Sequence, residues 1–424
     1  MALPYFKVLV VLCTSEEAGK TVRTNYLPLS KAFFRMENAI HTLRIQNFKS
    51  IKDVTLQPRR VNLIIGQPNV GKSNILEAMS LLGGAYVEEG KFMSGLLRYD
   101  FIRQLFVDNI ILNPIILKTD EDVCFLSTES YNIGIFDYAL IDRGSFDIII
   151  EKENSESLSS NLSRISHVLR HLNKSVFETI DRFIWVEVKA DGFVGEGTGK
   201  ASKNPEFQGI GPYSFGRKIK PYIFRRNKMR LQYNDAPFLM PPHGNNLFQV
   251  LQTNPALRKE VADMFSQYGL KLTLRMDEQR IELIRQVEEI AYAYPFTSMA
   301  DTIQRIIFYL AAIESNDDSV LLFEEPEAHS FPVYVSMLGR KIAESHNNQF
   351  FVATHSPYLV TEILEQMLPD DNQAGELAIF LAYYEDYQTK VKQLSDEEIR
   401  DIRNDSIDVF YNLSRFTPGS NLYA

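Results

Sequence analysis

The chain has 424 residues, a net charge of −9, 45% hydrophobic residues and 23% charged residues. This ordinary globular composition excludes bulk disorder and collagen-like or coiled-coil classes. The acidic balance argues against a protein that coats DNA or an acidic membrane, but it allows a local basic patch.

The two cysteines, Cys13 and Cys124, cannot build a disulfide framework or a structural zinc site, so a reducing, cytoplasmic setting is expected. No stretch approaches the roughly 18 to 20 apolar residues of a membrane span. Residues 1–35 look detached from the rest of the chain, and the apolar run at 8–13 is too short for a signal peptide. They are expected to be a non-native or accessory N-terminal extension, with Met36 as the natural initiator.

Residues 40–65 read as strands, because Leu43 and Ile45 flank Arg44, and Val54 and Leu56 flank Thr55. Residues 61–65 form a nearly continuous apolar run, as in a strand buried on both faces. A glycine-rich turn comes next, then helical spacing over 74–82. Residues 155–166 are serine-rich and read as a loop or helix start, and 191–211 read as a mobile loop. Residues 216–230 carry Arg217, Lys218, Lys220, Arg225, Arg226, Lys228 and Arg230. Phe215, Tyr222 and Phe224 interleave them, which makes this segment a candidate DNA contact through phosphate charge. A helix is predicted at 260–268 and a hairpin at 270–274 and 280–285. Beyond Pro295, Ile303, Ile306, Ile307, Leu310 and Ile313 give 301–314 helical spacing. A buried strand is predicted at 320–323, a helix at 334–344 and another buried strand at 349–353. Ser395 is expected to cap a helix over 396–403.

Three motifs carry chemistry. Gly66-Gln67-Pro68-Asn69-Val70-Gly71-Lys72-Ser73 matches G-x-x-x-x-G-K-[ST] between a buried strand and a helix. In such a loop, backbone N–H groups cradle phosphate oxygens at a helix N-terminus. Lys72 is expected to reach the β- and γ-phosphates, and Ser73 to ligate Mg²⁺. The apolar strand 320–323 ends in Glu324-Glu325. The first acid is expected to hold Mg²⁺ and the second to act as general base toward water. The strand at 349–353 delivers Thr354-His355-Ser356, and His355 is expected to reach the γ-phosphate. No G-x-S-x-G elbow or zinc-spaced Cys/His cluster supports another hydrolytic chemistry.

Together these motifs resemble the ABC/SMC-type ATPase heads, including the RecF-like proteins and the overcoming-lysogenisation-defect group. Leu43-Arg44-Ile45-Gln46-Asn47-Phe48-Lys49-Ser50-Ile51 is similar to the family's first strand and turn. Glu325-Pro326-Glu327-Ala328-His329 with Thr354-His355-Ser356-Pro357 resembles the acidic and histidine motifs of small bacterial AAA-family ATPases. His243-Gly244-Asn245-Asn246-Leu247 is similar to a P-x-G-x-N-L segment of such proteins.

The resemblance implies an α/β P-loop NTPase, an ABC-ATPase-like head with a mixed sheet flanked by helices and a mid-chain α+β insertion. Residues 36–110 would be the N-terminal half of the head. Residues 111–290 would be the remainder of that lobe plus the insertion, and 291–424 the C-terminal half. ATP and Mg²⁺ are implied as ligands. Gly66, Pro68, Asn69, Val70, Gly71, Lys72, Ser73 and Asn74, with Lys49 and Ser50, are implied at the nucleotide. Two heads would sandwich two ATP molecules, each site completed by the partner's signature segment, here 297–305. Ser298 and Asp301 match that segment in kind, but Thr302 stands where a glycine is usual. Gln104 is the candidate glutamine-loop ligand of the metal. The stretch after His355 is expected to be too short for the nuclease domain of the overcoming-lysogenisation-defect enzymes, and no long heptad region appears. The expected activity is slow ATP hydrolysis coupled to a homodimer, a protein effector or DNA, in the setting of anti-phage defence. The alternatives are a nucleotide-gated sensor or scaffold and a DNA-stimulated repair ATPase. Intact-mass analysis of native protein is expected to give a mass without residues 1–35; a mass that includes them overturns the assignment of Met36.

Overall fold

The structure is a computed structural model that describes residues 36–84, 86–128, 134–152, 182–202, 218–226 and 236–418. The expected N-terminal extension, the serine-rich stretch 155–166, and Phe215, Arg217, Lys228 and Arg230 lie outside the described residues. Met36–Ala424 form one compact unit.

The chain first lays down β1 (Leu43–Phe48), β2 (Ile51–Leu56), β3 (Val61–Ile65) and α1 (Lys72–Leu81). A two-residue hairpin comes next, β4 (Val87–Glu88) and β5 (Lys91–Phe92). Then come β6 (Ile115–Thr119), β7 (Asp122–Thr128), β8 (Ile135–Asp142), α2 (Arg143–Lys152), β9 (Arg182–Lys189) and β10 (Val194–Ser202). Apart from β3 and the small hairpin, these strands make an antiparallel sheet of seven, ordered β10-β9-β8-β7-β6-β1-β2. The loop expected over 191–211 is therefore strand from Val194 to Ser202, paired with β9. Glycine lacks a side chain to pack, which hid the strand; at a sheet edge the ladder of hydrogen bonds still holds it.

The second half holds β11 (Ile219–Tyr222), α3 (Leu247–Thr253), α4 (Pro255–Ser266), β12 (Lys271–Arg275), β13 (Arg280–Val287) and β14 (Ile290–Pro295). It continues with α5 (Asp301–Ser315), β15 (Ser319–Glu324), α6 (Pro332–Glu344), β16 (Asn348–Ala353), α7 (Pro357–Met367), β17 (Leu377–Glu385) and β18 (Gln388–Gln393). The helix expected after Ser395 is Asp396–Asn404, closed by a Ser395/Glu398 capping box. The predicted hairpin at 270–285 gains a third strand, β14.

The second large sheet runs β11-β15-β16-β3-β17-β18, parallel except for its last pair. Strand β3 is buried on both faces, and its side chains alternate between two cores. Val61, Leu63 and Ile65 join the core built with α5, α6 and α7. Ile64 joins the core shared with α1 and the seven-stranded sheet. The fold is thus an α/β, P-loop-type architecture, a mixed sheet with helices on both faces.

Where it is described, the basic segment divides between buried and exposed residues. Lys220 lies inside β11, 3% exposed. Its ammonium donates to Asn316 Oδ1 at 2.5 Å and Ser319 Oγ at 3.0 Å, and sits 3.6 Å over the Phe238 ring. Lys218 pairs with Glu121. Arg225 and Arg226 are exposed, but they donate to the Gly95 and Thr297 carbonyls. Helix α5 is the pivot of the larger core. Phe308 is fully buried, with ring contacts to Tyr222, Phe224 and Tyr309. Phe308→Ala is expected to cost about 3–5 kcal/mol, read as a lower urea midpoint at unchanged slope; an unchanged midpoint would show that this core is not cooperative with the rest.

Candidate active site

Parallel strands β3, β15 and β16 release their chains at the same edge of the sheet. A cleft of about 730 Å³ opens there, lined by the loop residues Pro68, Asn69, Gly71, Lys72, Ser73 and Asn74, by Glu324, Glu325 and His355, and by Arg98, Phe224, Arg305, Tyr309 and His329. Three motifs that lie far apart in the sequence thus meet in one place.

The loop between β3 and α1 needs its glycines. Gly66 has φ 150° and a Cβ there would lie 2.2 Å from the Ala382 carbonyl oxygen. Gly71 has φ 97° and a Cβ there would lie 2.1 Å from Thr389 Oγ1. Asn69 also takes a left-handed conformation, φ 62°, one that asparagine tolerates. Val70 is buried. Lys72 is 6% exposed, and its ammonium donates to the carbonyls of Gly66 at 3.0 Å and Gln67 at 2.6 Å. Burial pushes its pKa down to about 8, against the pull of Glu325. A bound polyphosphate would push that pKa back up, since an adjacent anion favours the ammonium.

Strand β15 ends at Glu324, and Glu325 turns into the left-handed region at φ 43°, its N–H donating to the Ala353 carbonyl at 2.9 Å. A non-glycine residue held there is strained, and such strain gathers at functional sites. Glu325 Oε1 lies 3.5 Å from His355 Nε2. Burial, then Lys72, lowers the His355 pKa, so the ring is neutral at pH 7. Behind it, the buried Glu327 carboxylate accepts from the His355 N–H at 3.0 Å and from the Thr354 hydroxyl. Burial raises the Glu327 pKa. Glu324 faces Arg98, whose Nη2 lies 3.5 Å away.

Several expected residues sit elsewhere. Lys49 pairs with buried Glu77, which also accepts from Arg98 at 2.7 Å. Ser50 points into a hydrogen-bond chain beneath the loop, 2.6 Å from Thr389 Oγ1. Neither lines the cleft. Gln104, expected as a metal ligand, is exposed and outside the cleft lining, and its amide oxygen accepts from the N–H groups of Asp100 at 2.7 Å and Phe101 at 3.1 Å. Ser298 is exposed and donates to the Pro295 carbonyl at 2.7 Å, while Asp301 pairs with Arg305 at 3.7 Å. Both lie outside the cleft of their own chain. Thr302 donates to the His329 carbonyl at 2.7 Å, tying the start of α5 to the turn after the acidic strand. His243 Nδ1 contacts the Ile223 carbonyl, and the glycine beside it packs against Phe308, so that segment supports the core.

The sequence motifs do not announce Arg98, Arg305 and Tyr309. Arg305 and Tyr309 follow Asp301 at helical four-residue steps, a shared face that the periodicity of α5 could have disclosed. Arg98 lies in irregular chain and left no such signal.

Among the described residues no group of three or more His, Cys, Asp or Glu is arranged to hold a metal. The donors at the cleft are instead a serine hydroxyl beside a carboxylate. This hard-oxygen set fits Mg²⁺, which takes its other ligands from phosphate and water. Also among the described residues, no helix is long and apolar enough to cross a membrane.

A glycine loop with its lysine, paired carboxylates and a histidine at one edge of a parallel sheet are the parts of a P-loop nucleoside-triphosphatase fold. Comparison with known proteins narrows the class. Residues 39–135 match the family model "AAA ATPase domain", and residues 212–361 match "AAA domain, putative AbiEii toxin, Type IV TA system". An "ATP/GTP phosphatase" of Helicobacter pylori (strain ATCC 700392 / 26695) is 21% identical over 368 residues, covering 82% of this chain and 93% of that protein. Among solved structures, an "SmcHead bound to the C-winged helix domain of ScpA" is similar at 16% identity and TM-score 0.44, over 86% of this chain and 99% of that one. An SMC head domain from Thermotoga maritima is similar at 11% identity and TM-score 0.37, over 84% of this chain and 99% of that one. The two family models cover the stretches that carry the glycine loop, the acidic pair and the histidine, and both describe AAA domains.

Glu327→Ala removes the acceptor of the Thr354 hydroxyl and the His355 N–H. It is expected to cost about 1–3 kcal/mol of stability and to slow single-turnover hydrolysis while leaving nucleotide affinity within about twofold. Hydrolysis at the wild-type rate would show that the His355 turn holds its place without Glu327.

Proposed function

We propose that the chain hydrolyses ATP slowly and uses nucleotide-dependent pairing of two heads to act on a protein effector. The observation that carries this reading is the meeting of Lys72 and Ser73 with Glu324, Glu325 and His355 in one cleft. Lys72 and the N–H groups at the start of α1 hold the phosphates. Ser73 and Glu324 would hold Mg²⁺, which offsets charge on the β- and γ-phosphates when bound. Glu325 takes a proton from the attacking water, and His355 lies beside it at the γ-phosphate. Arg98 lies 3.5 Å from Glu324 and tempers its charge at the rim of the cleft.

Head pairing is supported by Ser298 and Asp301, which do not line their own cleft, so a second copy could reach them at the start of α5. The second matching family model names a "putative AbiEii toxin, Type IV TA system", and a setting of that kind, beside an effector in anti-phage defence, is the one proposed for this chain. The rival is a sensor or scaffold with little turnover, favoured by Thr302 in the glycine position of the signature segment.

Lys72→Ala is expected to abolish ATP binding. Glu325→Gln is expected to retain ATP and lower kcat by about 10²–10⁴-fold; retained hydrolysis would mean that Glu325 is not the base. Light scattering on Glu325→Gln is expected to show a doubling of mass with Mg·ATP. A mass unmoved by ATP overturns head pairing in favour of the sensor or scaffold. A further rise with short duplex DNA would assign DNA as a partner.

A further inference from the structure

We propose that Thr389, at the start of the C-terminal strand β18, is a positioning residue for the phosphate-binding loop. It sets the Val70–Gly71 peptide so that the Gly71 N–H faces a bound phosphate. This rests on the reading of the cleft as a nucleotide site.

Counting protons fixes the direction of the bonds. Thr389 Oγ1 lies 2.8 Å from the Val70 carbonyl oxygen, which can only accept, so the single threonine proton is committed there. Thr389 Oγ1 also lies 2.6 Å from Ser50 Oγ, so Ser50 must donate to it. Ser50 Oγ in turn accepts from Asn74 Nδ2 at 2.7 Å. The bonds run in one direction: Asn74 amide to Ser50 hydroxyl, Ser50 hydroxyl to Thr389 hydroxyl, Thr389 hydroxyl to Val70 carbonyl. Each donor in such a chain polarises the next, and the final bond is strengthened. The Thr389 N–H also donates to the Ser50 carbonyl at 2.7 Å, which fixes the backbone that carries the hydroxyl. Thr389 is 1% exposed, so water does not compete.

Peptide geometry carries the effect into the cleft. In a trans peptide the C=O and the next N–H point to opposite sides. With the Val70 carbonyl held against Thr389, the Gly71 N–H is directed away from β18, and Gly71 lines the cleft. Without the tether, the glycine at φ 97° permits the peptide to rotate and remove that donor from the anion nest. The Gly71 Cα is also packed directly on the Thr389 side chain, leaving no room for a Cβ. The last two strands of the ATPase sheet are therefore part of the nucleotide site, though none of their residues belongs to a nucleotide motif.

The test compares Thr389→Val, Thr389→Ala and Thr389→Ser with wild type and Lys72→Ala, by titration with a fluorescent N-methylanthraniloyl ADP and by steady-state hydrolysis. Thr389→Val and Thr389→Ala are expected to raise Kd and KM by about tenfold, with kcat within about twofold. Thr389→Ser keeps the proton and is expected to bind within about twofold of wild type. The proposal is overturned if Val and Ala variants bind as wild type does, or if Ser binds as weakly as Ala. Should Thr389→Val fail to fold, the Ala–Ser comparison decides. If wild type binds no more nucleotide than Lys72→Ala does, the underlying nucleotide reading fails, and the proposal falls with it.

Discussion

Parallel pairing of β3 with β16, and of β16 with β15, is the constraint that creates the cleft. Antiparallel neighbours would deliver their chain ends to opposite edges, and the glycine loop would face neither acid nor histidine. In the parallel register Ile64 stands opposite Ala353, and Ala353 opposite Glu324. The residues one or two steps further on therefore emerge side by side. Parallel strands require cover on both faces. Helix α1 and the seven-stranded sheet supply one cover, and α5, α6 and α7 the other. The site is thus a by-product of burying three apolar strands, and the chemistry is carried by what each strand releases at its end.

Charge around the cleft is arranged in pairs of opposite sign. Glu77 is 3% exposed and would be costly alone. Lys49 and Arg98 both pair with it, and Arg98 extends the chain to Glu324. Desolvation is the largest influence on Lys49 and lowers its pKa, while Glu77 opposes that loss. Lys49 is committed to this pair and does not enter the cleft. Similar reasoning accounts for Lys220, which adds nothing to the surface charge pattern because Asn316 and Ser319 absorb its donors inside the fold.

The elements that could be read from sequence are those whose burial is uniform or periodic. Strand β3 and helix α5 declare themselves by apolar spacing, and the loop between β3 and α1 by its glycines and lysine. What was hidden breaks these rules for local reasons. Strand β11 contains Lys220 and directly follows Lys218, so charge interrupts its apolar pattern, although Lys220 is buried. Strand β10 is glycine-rich and reads as a loop. Strands β17 and β18 carry no nucleotide motif, although the run from Leu377 to Ala382 is continuously apolar and open to recognition. Gln104, Lys49 and Ser50 were placed by resemblance to motifs, and motif resemblance does not report which way a side chain turns.

The departure at Thr302 acquires a physical meaning from its partner. A glycine at that position has no side chain to donate, whereas the Thr302 hydroxyl binds the carbonyl of His329. His329 lines the cleft and holds a left-handed conformation at φ 57°. Helix α5 therefore touches the site at two levels. Its first turn is tied to the segment after Glu325, and its second and third turns present Arg305 and Tyr309 to the cleft. The Arg305 guanidinium rests 4.9 Å over the Phe224 ring, which lines the same cleft. Asp301 begins the same face and pairs with Arg305, and Ser298 lies exposed just ahead of it. One helix thus runs from the exposed Ser298 segment to the cleft lining. A threonine in place of glycine adds a hydrogen bond that ties the start of the helix to the turn after Glu325.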